Sequence, residues 1–152
     1  TNVMRLLDQK KISYNHYSYV DSGAVNGVEV ARLLNQDENR VFKTLVTVGK
    51  SKSNYVFVIP VAKELDLKAA SKAVGEKSIE MLKSKDLFPL TGYIHGGCSP
   101  IGMKKTFKTV VDESAKKFDK IIFSGGKIGY QVELSPEDLA KIIPISFDHL
   151  TC

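Results

Sequence analysis

The spacing of apolar side chains in the first half of the chain alternates between helical and extended periodicity. It predicts helices at residues 2–9 and 27–34 and strands at residues 12–20, 40–48 and 55–61. Asp66 can cap a third helix that runs to Val74, and Gly75 can end that helix in a left-handed conformation. Asn35 is a stop signal for the second helix.

The second half of the chain carries more strand pattern. A short helix is expected at residues 84–88, ended by Pro89, and another begins where Ser135 precedes Pro136. Strands are expected at residues 106–112, 120–123, 129–134 and 142–147. These elements predict an α+β fold, in which residues 1–152 form a single domain with a mixed, curved or partly closed β-sheet and packed helices.

The charge of the chain favours an anionic partner. Its 152 residues carry a formal net charge of +5 and a pI of about 9.1, and only three of the 22 basic residues are arginines. Lysine acts as a point charge on phosphate, whereas arginine reads guanine edges through paired hydrogen bonds. The balance therefore suits contact with a nucleic-acid backbone, although lysines that only maintain solubility give the same composition.

Several classes of function are excluded by the motifs that the sequence lacks. No histidine and cysteine spacing resembles a zinc site, and there is neither a phosphate loop nor a dinucleotide fingerprint. We therefore expect no metal and no cofactor. No apolar run is long enough to span a bilayer, and the two cysteines do not resemble a disulfide framework. With no export signal recognised, these features predict a cytoplasmic protein without a membrane partner.

One candidate cation lies inside the predicted strand at residues 40–48. Alternation places Lys43 on the same face as Val41 and Leu45, opposite Phe42. A lysine among apolar neighbours either extends to solvent or lines a cavity as a fixed cation. The pattern alone leaves both interpretations open.

The segment at residues 92–102 contains two adjacent glycines, Gly96 and Gly97. Because they lack side chains, their N–H groups can approach a ligand oxygen and stabilise an oxyanion during attack on a carbonyl. A loop that needs glycine at positive φ gives the same pattern. His95 and Cys98 suggest a nucleophile and its base, but two residues three apart in one loop are poor evidence for such a pair.

Two further features are compatible with ligand binding. Ser124, Gly125 and Gly126 follow an apolar strand, where a serine with two glycines either binds an anion or a ribose hydroxyl or forms a plain hairpin turn. Tyr19 ends an extended segment, where its hydroxyl faces a pocket or its ring only packs.

In this order, these motifs resemble those of the bacterial cysteinyl-tRNA(Pro) deacylases. The resemblance covers nearly the whole chain and rests on KIS at 11–13, Tyr19, FKTL at 42–45, LDLK at 65–68, TGY at 91–93, GGCSP at 96–100, SGGK at 124–127 and EL at 133–134. It implies a free-standing prolyl-tRNA editing domain that hydrolyses amino acids misplaced on tRNA, chiefly cysteine on tRNA(Pro). Prolyl-tRNA synthetase cannot fully reject cysteine, because cysteine and proline are similar in size.

The resemblance also implies roles for individual residues. Lys43, Gly96 and Gly97 would carry catalysis, the lysine by anchoring the aminoacyl end and the glycine backbone by holding the reacting carbonyl. The residues implied in substrate binding are Tyr19, Thr44, Ser99, Ser124, Gly125 and Gln131. No side-chain nucleophile is implied, because the thiol of a positioned cysteinyl ester can attack its own carbonyl and release a thiolactone. The implied partners are the acceptor end of tRNA(Pro) and prolyl-tRNA synthetase.

Three positions depart from the pattern of well-known members of that family. Gln131 stands where they carry aspartate, Ile128 where they carry arginine, and Cys98 where they carry an aliphatic residue. The first two leave the amino-acid specificity open, so a deacylase for alanyl- or seryl-tRNA is an alternative. A non-catalytic RNA-binding module and an adaptor on prolyl-tRNA synthetase are further alternatives. Cys98 is expected to pack rather than react.

Overall fold

The computed structural model describes residues 1–24 and 26–152, and this part of the chain has the predicted α+β class. Its five α-helices are α1 (Asn2–Gln9), α2 (Gly27–Leu33), α3 (Leu67–Val74), α4 (Ser84–Thr91) and α5 (Pro136–Ile142). Its eight strands are β1 (Asn15–Ser18), β2 (Phe42–Gly49), β3 (Asn54–Pro60), β4 (Ile79–Met81), β5 (Lys108–Asp112), β6 (Ile121–Ser124), β7 (Tyr130–Leu134) and β8 (Ile145–Asp148). None of the helices described is long and apolar enough to cross a membrane.

Local signals place several helix ends where the sequence predicts them. The Asp66 carboxylate caps α3 and accepts a hydrogen bond from the Lys68 N–H at 3.0 Å. Gly75 ends the same helix with φ at 73°, in the left-handed region. At the start of α5, Ser135 Oγ accepts the Asp138 N–H at 3.1 Å. These ends were predictable because each depends on residues within one helical turn.

The strands are divided between two sheets. The larger sheet has the order β4-β2-β3-β5-β8, in which β2 is antiparallel to β3 and β4 while β5 is parallel to β3 and β8. The smaller sheet, β1-β7-β6, is antiparallel throughout. A parallel bridge between Val41 and Ile122 brings the start of β2 beside β6. The sequence predicted one mixed sheet, whereas the structure has two sheets that meet at this point.

Both faces of the larger sheet are covered, as the alternation along β2 requires. Phe42 and Val46 pack into one apolar cluster with buried residues of α1, β6 and β7. Leu45 packs against a second cluster that contains Phe57 and Ile59 and lies under α3. Each large side chain buried in this way contributes about 1.5–3 kcal/mol to stability. The sheet is thus held firmly on both sides of the strand that carries Lys43.

The prediction that Pro89 ends α4 was wrong. The helix continues to Thr91, whose Oγ1 donates to the Leu87 carbonyl at 2.8 Å. Gly92 then closes the helix with φ at 85°, and its N–H donates to the Phe88 carbonyl at 2.8 Å. A proline removes one hydrogen bond inside a helix, and the C-terminal bonds of α4 compensate for it.

A buried carboxylate connects the smaller sheet to the segment before β2. Glu133 of β7 accepts hydrogen bonds from Asn15 Nδ2 at 2.7 Å, Tyr17 OH at 2.9 Å and Arg40 Nη2 at 2.7 Å. Burial of Glu133 raises its pKa, but the hydrogen bonds from Asn15 and Tyr17 and the charge of Arg40 outweigh this and hold the pKa below its ordinary value. The same Arg40 donates to the Lys120 carbonyl at 3.2 Å.

Candidate active site

A cleft of about 710 Å³ lies along the first half of β2. The short strand β4, which the sequence pattern does not predict, pairs only with Thr47, Val48 and Gly49. Within the residues described, no strand pairs with the earlier part of β2 on that side, so its edge is open there. Residues of α2, α4, the loop at 92–102, β6 and β7 surround this edge. The volume lies in the range of small-ligand sites, about 300–1,000 Å³.

Lys43 and Thr44 both line the cleft, although neighbouring residues of a strand point to opposite faces. Consecutive residues 41–46 all line the cleft, so the cleft follows the edge of the strand and not one of its faces. None of the ion pairs in the described part of the chain includes Lys43. Thr44 Oγ1 is buried and has no hydrogen-bond partner among those residues. The cleft wall therefore holds a cation and a hydroxyl that folding leaves unpaired.

The two glycines of the loop have different tasks. Gly96 lines the cleft with φ at 88°, and its N–H donates to no backbone carbonyl in the described chain. Gly97 is buried, and its N–H donates to the Ile94 carbonyl at 3.0 Å. A Cβ on Gly97 would lie 3.2 Å from the Ile128 backbone nitrogen, a tight contact, so glycine favours the close approach of the two loops. The predicted role of Gly97 at a reacting carbonyl is therefore not supported, whereas the Gly96 amide remains available.

His95 and Cys98 both line the cleft, but no hydrogen bond joins them. Burial raises the pKa of the Cys98 thiol to about 12. A thiol with that pKa is protonated at neutral pH, and the thiolate is the reactive form of cysteine. Cys98 packs against the apolar cluster that contains Phe42, and a protonated thiol is a poor nucleophile.

Tyr19, Ser124 and Gln131 form the opposite wall of the cleft. Ser124 and Gln131 are register partners in the β6–β7 pair, which explains why these distant sequence positions meet. Gln131 is 5% exposed, and its Oε1 accepts a hydrogen bond from Gln36 Nε2 at 2.8 Å. Gln36 belongs to no motif of the sequence, so nothing in the pattern identifies it as the residue that orients Gln131.

Two residues implied in substrate binding are not on the cleft wall. Ser99 is fully buried, and its Oγ accepts the Ile101 N–H at 3.3 Å. Gly125 is buried in the turn after β6, where its N–H donates to the Tyr130 carbonyl at 2.9 Å. The Ser99 Oγ and the Gly125 N–H are hydrogen-bonded within the fold and neither residue lies on the cleft wall, so the implied roles of Ser99 and Gly125 in substrate binding stay predictions.

The cleft combines hydrogen-bond donors with no activated side-chain nucleophile among the residues described. The Lys43 ammonium and the Gly96 N–H can bind a phosphate, a ribose oxygen or a carbonyl oxygen. Thr44 and Ser124 add hydroxyl groups. Such an arrangement can orient an ester and stabilise negative charge on its carbonyl oxygen. Residues 1–24 and 26–152 contain no group of three or more His, Cys, Asp or Glu side chains placed to hold a metal.

Comparison with known proteins agrees with this chemistry. Residues 22–142 match the model of the aminoacyl-tRNA editing domain family. The chain is 47% identical over 152 residues to EbsC of Enterococcus faecalis, named as a candidate Cys-tRNA(Pro)/Cys-tRNA(Cys) deacylase, with 99% of this chain and 93% of that protein covered.

Two solved structures share the fold. The protein APE2540 has a TM-score of 0.90 at 22% identity, with all of both chains covered. A candidate trans-editing enzyme for prolyl-tRNA synthetase has a TM-score of 0.87 at 21% identity, with 99% of this chain and 94% of that chain covered. The match to the family model and the 47% identity confirm the resemblance seen in the motifs. The chain belongs to the aminoacyl-tRNA editing domain family.

Proposed function

We propose that this protein is an aminoacyl-tRNA deacylase that acts in trans and removes cysteine from Cys-tRNA(Pro). The observation that carries this proposal is the group of unpaired donors at the open edge of β2: the Lys43 ammonium, the Thr44 hydroxyl and the Gly96 N–H. Groups that folding leaves unpaired are available to a ligand without loss of internal hydrogen bonds. The name of EbsC, at 47% identity, supports cysteine as the amino acid.

Each residue of the cleft has a task in this proposal. Lys43 anchors the aminoacyl end through a ribose, phosphate or carbonyl oxygen. Thr44 and Ser124 donate hydrogen bonds to the terminal nucleotide, and Gly96 N–H binds the ester carbonyl oxygen as negative charge develops on it. Tyr19 and Gln131 close the far wall around the amino-acid part.

The nucleophile is supplied by the substrate in this proposal. The cysteine sulfur attacks the ester carbonyl carbon, a C–S bond forms, and the bond from that carbon to the ribose oxygen breaks. The thiol proton passes to the ribose oxygen, so free tRNA and a thiolactone are released, and water later opens the thiolactone to cysteine. Such an intramolecular step depends on positioning, which is what the donors of the cleft provide.

The partner and the compartment follow from this activity. The substrate is the acceptor end of tRNA(Pro), and the lysine-rich surface suits its phosphates. We propose that the protein works in the cytoplasm, where tRNA is charged, and that it associates with prolyl-tRNA synthetase. Co-elution of the two purified proteins tests the association, and separate elution at all concentrations would remove it from the proposal.

The proposed function is tested by the release of labelled amino acid from tRNA(Pro) that carries cysteine, alanine, serine or proline. We expect rapid release of cysteine and slow release of the others. S-methylcysteinyl-tRNA(Pro) should resist hydrolysis, because its sulfur carries no proton and is a poor nucleophile. Faster release of alanine or serine would assign a different deacylase, and no release from any substrate would favour an RNA-binding module.

A further inference from the structure

Two groups of exposed lysines lie on different parts of the surface. The α4 lysines are Lys83, Lys85, Lys104 and Lys105. The α3 lysines, in and around α3, are Lys63, Lys68, Lys72 and Lys77. All eight side chains are exposed, so exposure alone does not distinguish a docking surface from a solvated one.

The α4 lysines border the candidate active site. Ser84 and Leu87 of α4 line the cleft, and Lys83 and Lys85 flank Ser84 in the chain. Lys104 lies at the other end of the helix, where its Nζ is 5.3 Å from the centre of the Phe88 ring. The eight residues of α4 span about 12 Å. The α4 lysines therefore lie at both ends of a helix that contributes Ser84 and Leu87 to the cleft.

The two groups differ in the acids around them. From Lys83 to Lys105 the chain contains a single carboxylate, Asp86. By contrast, a second cavity of about 1020 Å³ is lined by three of the α3 lysines together with three acids, Asp66, Glu76 and Asp148. Alternating charges cancel the field over a few ångströms, whereas a strip of one sign attracts a polyanion. The charge pattern favours the α4 lysines as the site for phosphates.

Lys104 is also held in a fixed position. Its Nζ donates to the Pro89 carbonyl at 3.4 Å while it lies over Phe88, a side chain that is 56% exposed. An ordered ammonium loses less side-chain entropy when it binds a phosphate than a freely moving one. The extension of α4 beyond Pro89 thus presents a cation beside an exposed ring.

We propose that the α4 lysines form the docking surface for the phosphate backbone of the tRNA acceptor stem while the 3′ end occupies the cleft. This inference rests on the proposed function, because it takes an aminoacylated 3′ end as the occupant of the cleft. The surface supplies affinity for RNA and does not take part in the hydrolytic step.

The test compares two variants in which four lysines each become glutamine, one for the α4 lysines and one for the α3 lysines. Hydrolysis is measured on Cys-tRNA(Pro) and on the 3′-cysteinyl ester of adenosine, a short ester that carries no phosphate group. The α4 variant should raise KM for the tRNA at least ~10-fold at 0.15 M salt. The slope of log KM against the logarithm of the salt concentration should be smaller by about 3 in this variant. Its hydrolysis of the short ester should match wild type, and the α3 variant should match wild type on both substrates.

An α3 variant that weakens tRNA use as much as the α4 variant would overturn the proposal. An α4 variant that keeps the wild-type KM would also overturn the proposal. If that variant loses only its co-elution with prolyl-tRNA synthetase, the α4 lysines bind a protein and not RNA. If wild type hydrolyses neither substrate, the proposed function fails instead. Binding of uncharged tRNA(Pro) by the same three proteins then still decides whether the α4 lysines hold RNA.

Discussion

At the scale of single residues, the cleft separates groups that the fold uses from groups that it leaves unpaired. In the motif GGCSP, the Gly97 N–H donates to the Ile94 carbonyl and the Ser99 Oγ accepts the Ile101 N–H, whereas the Gly96 N–H donates to no backbone carbonyl of the described chain and lies at the cleft. The motif alone could not make this distinction, because the hydrogen-bond partners are known only once the loop is folded. The residue types in the motif predicted where the site lies, but not which of their polar groups are available to a ligand.

Substitution of Cys98 by alanine tests whether the site contains a protein nucleophile. Because burial raises the pKa of this thiol to about 12, we expect Cys98→Ala to hydrolyse Cys-tRNA(Pro) within about threefold of the wild-type rate. Removal of a true nucleophile from an enzyme costs several orders of magnitude in rate, as single knockouts in a catalytic triad illustrate. A loss of that size, measured in single turnover, would return Cys98 to the reaction.

Substitution of Gly96 by alanine tests the backbone donor. The φ of 88° puts a non-glycine residue in the left-handed region at a cost of about 1–2 kcal/mol, and we expect that strain to displace the Gly96 N–H and lower kcat at least tenfold. Gly75→Ala is the matched control, because Gly75 also has positive φ, has open space around it and does not line the cleft. Similar stability losses with a kcat loss only in Gly96→Ala would support the role of the amide, and equal kcat values would refute it.

At the scale of elements, the predictable parts of the fold are those set by local chemistry. The bounds of α1 and α3 and the start of α5 follow from caps and periodicity within one or two turns. β4 was missed because three residues are too few to show alternation, and its pairing with Thr47–Gly49 is a contact between distant segments. Since the open edge of β2 depends on where β4 stops, the position of the cleft could not be read from the sequence.

The hydrogen-bonded cluster around Glu133 connects β1 and β7 to the segment before β2, and its contribution to the free energy of unfolding depends on pH. Glu133→Gln should lower the free energy of unfolding at pH 7 by about 1–3 kcal/mol, because Arg40 loses its charged acceptor. Since the pKa of Glu133 is lowered in the folded protein, its stabilisation is present above the unfolded pKa and is lost as pH falls through the folded value.

Chemical unfolding of wild type and Glu133→Gln at pH 7 and at pH 3 measures this effect. The difference between the two proteins should shrink at pH 3, which lies below the unfolded pKa of a glutamate, because the unfolded wild type then binds a proton whose uptake the folded carboxylate resists. If the difference in unfolding free energy is the same at both pH values, packing and not the charge of Glu133 holds the β1–β7 pair to the segment before β2.

At the scale of the whole molecule, the candidate site is assembled where the two sheets meet. Lys43 comes from the larger sheet, Ser124 and Gln131 from the smaller one, and Gly96 from the loop that follows α4. Residues this far apart in sequence are linked by no periodicity or motif spacing. Their association was predicted only through the resemblance to a family, and the three-dimensional arrangement then removed Gly97, Ser99 and Gly125 from the cleft wall.

The central claim is that this cleft is the deacylase site and that Lys43 acts within it. The most direct measurement is single-turnover hydrolysis of Cys-tRNA(Pro) by wild type, Lys43→Ala and Lys50→Ala, together with their affinity for uncharged tRNA(Pro). Lys50 is an exposed lysine at the end of β2 and serves as the matched control. Loss of one catalytic donor costs about 10²–10³ in rate, so Lys43→Ala should lose at least ~100-fold in rate and keep its tRNA affinity, with Lys50→Ala unchanged. A Lys43→Ala protein that hydrolyses Cys-tRNA(Pro) at the wild-type rate would contradict the account and place the reaction elsewhere on the molecule.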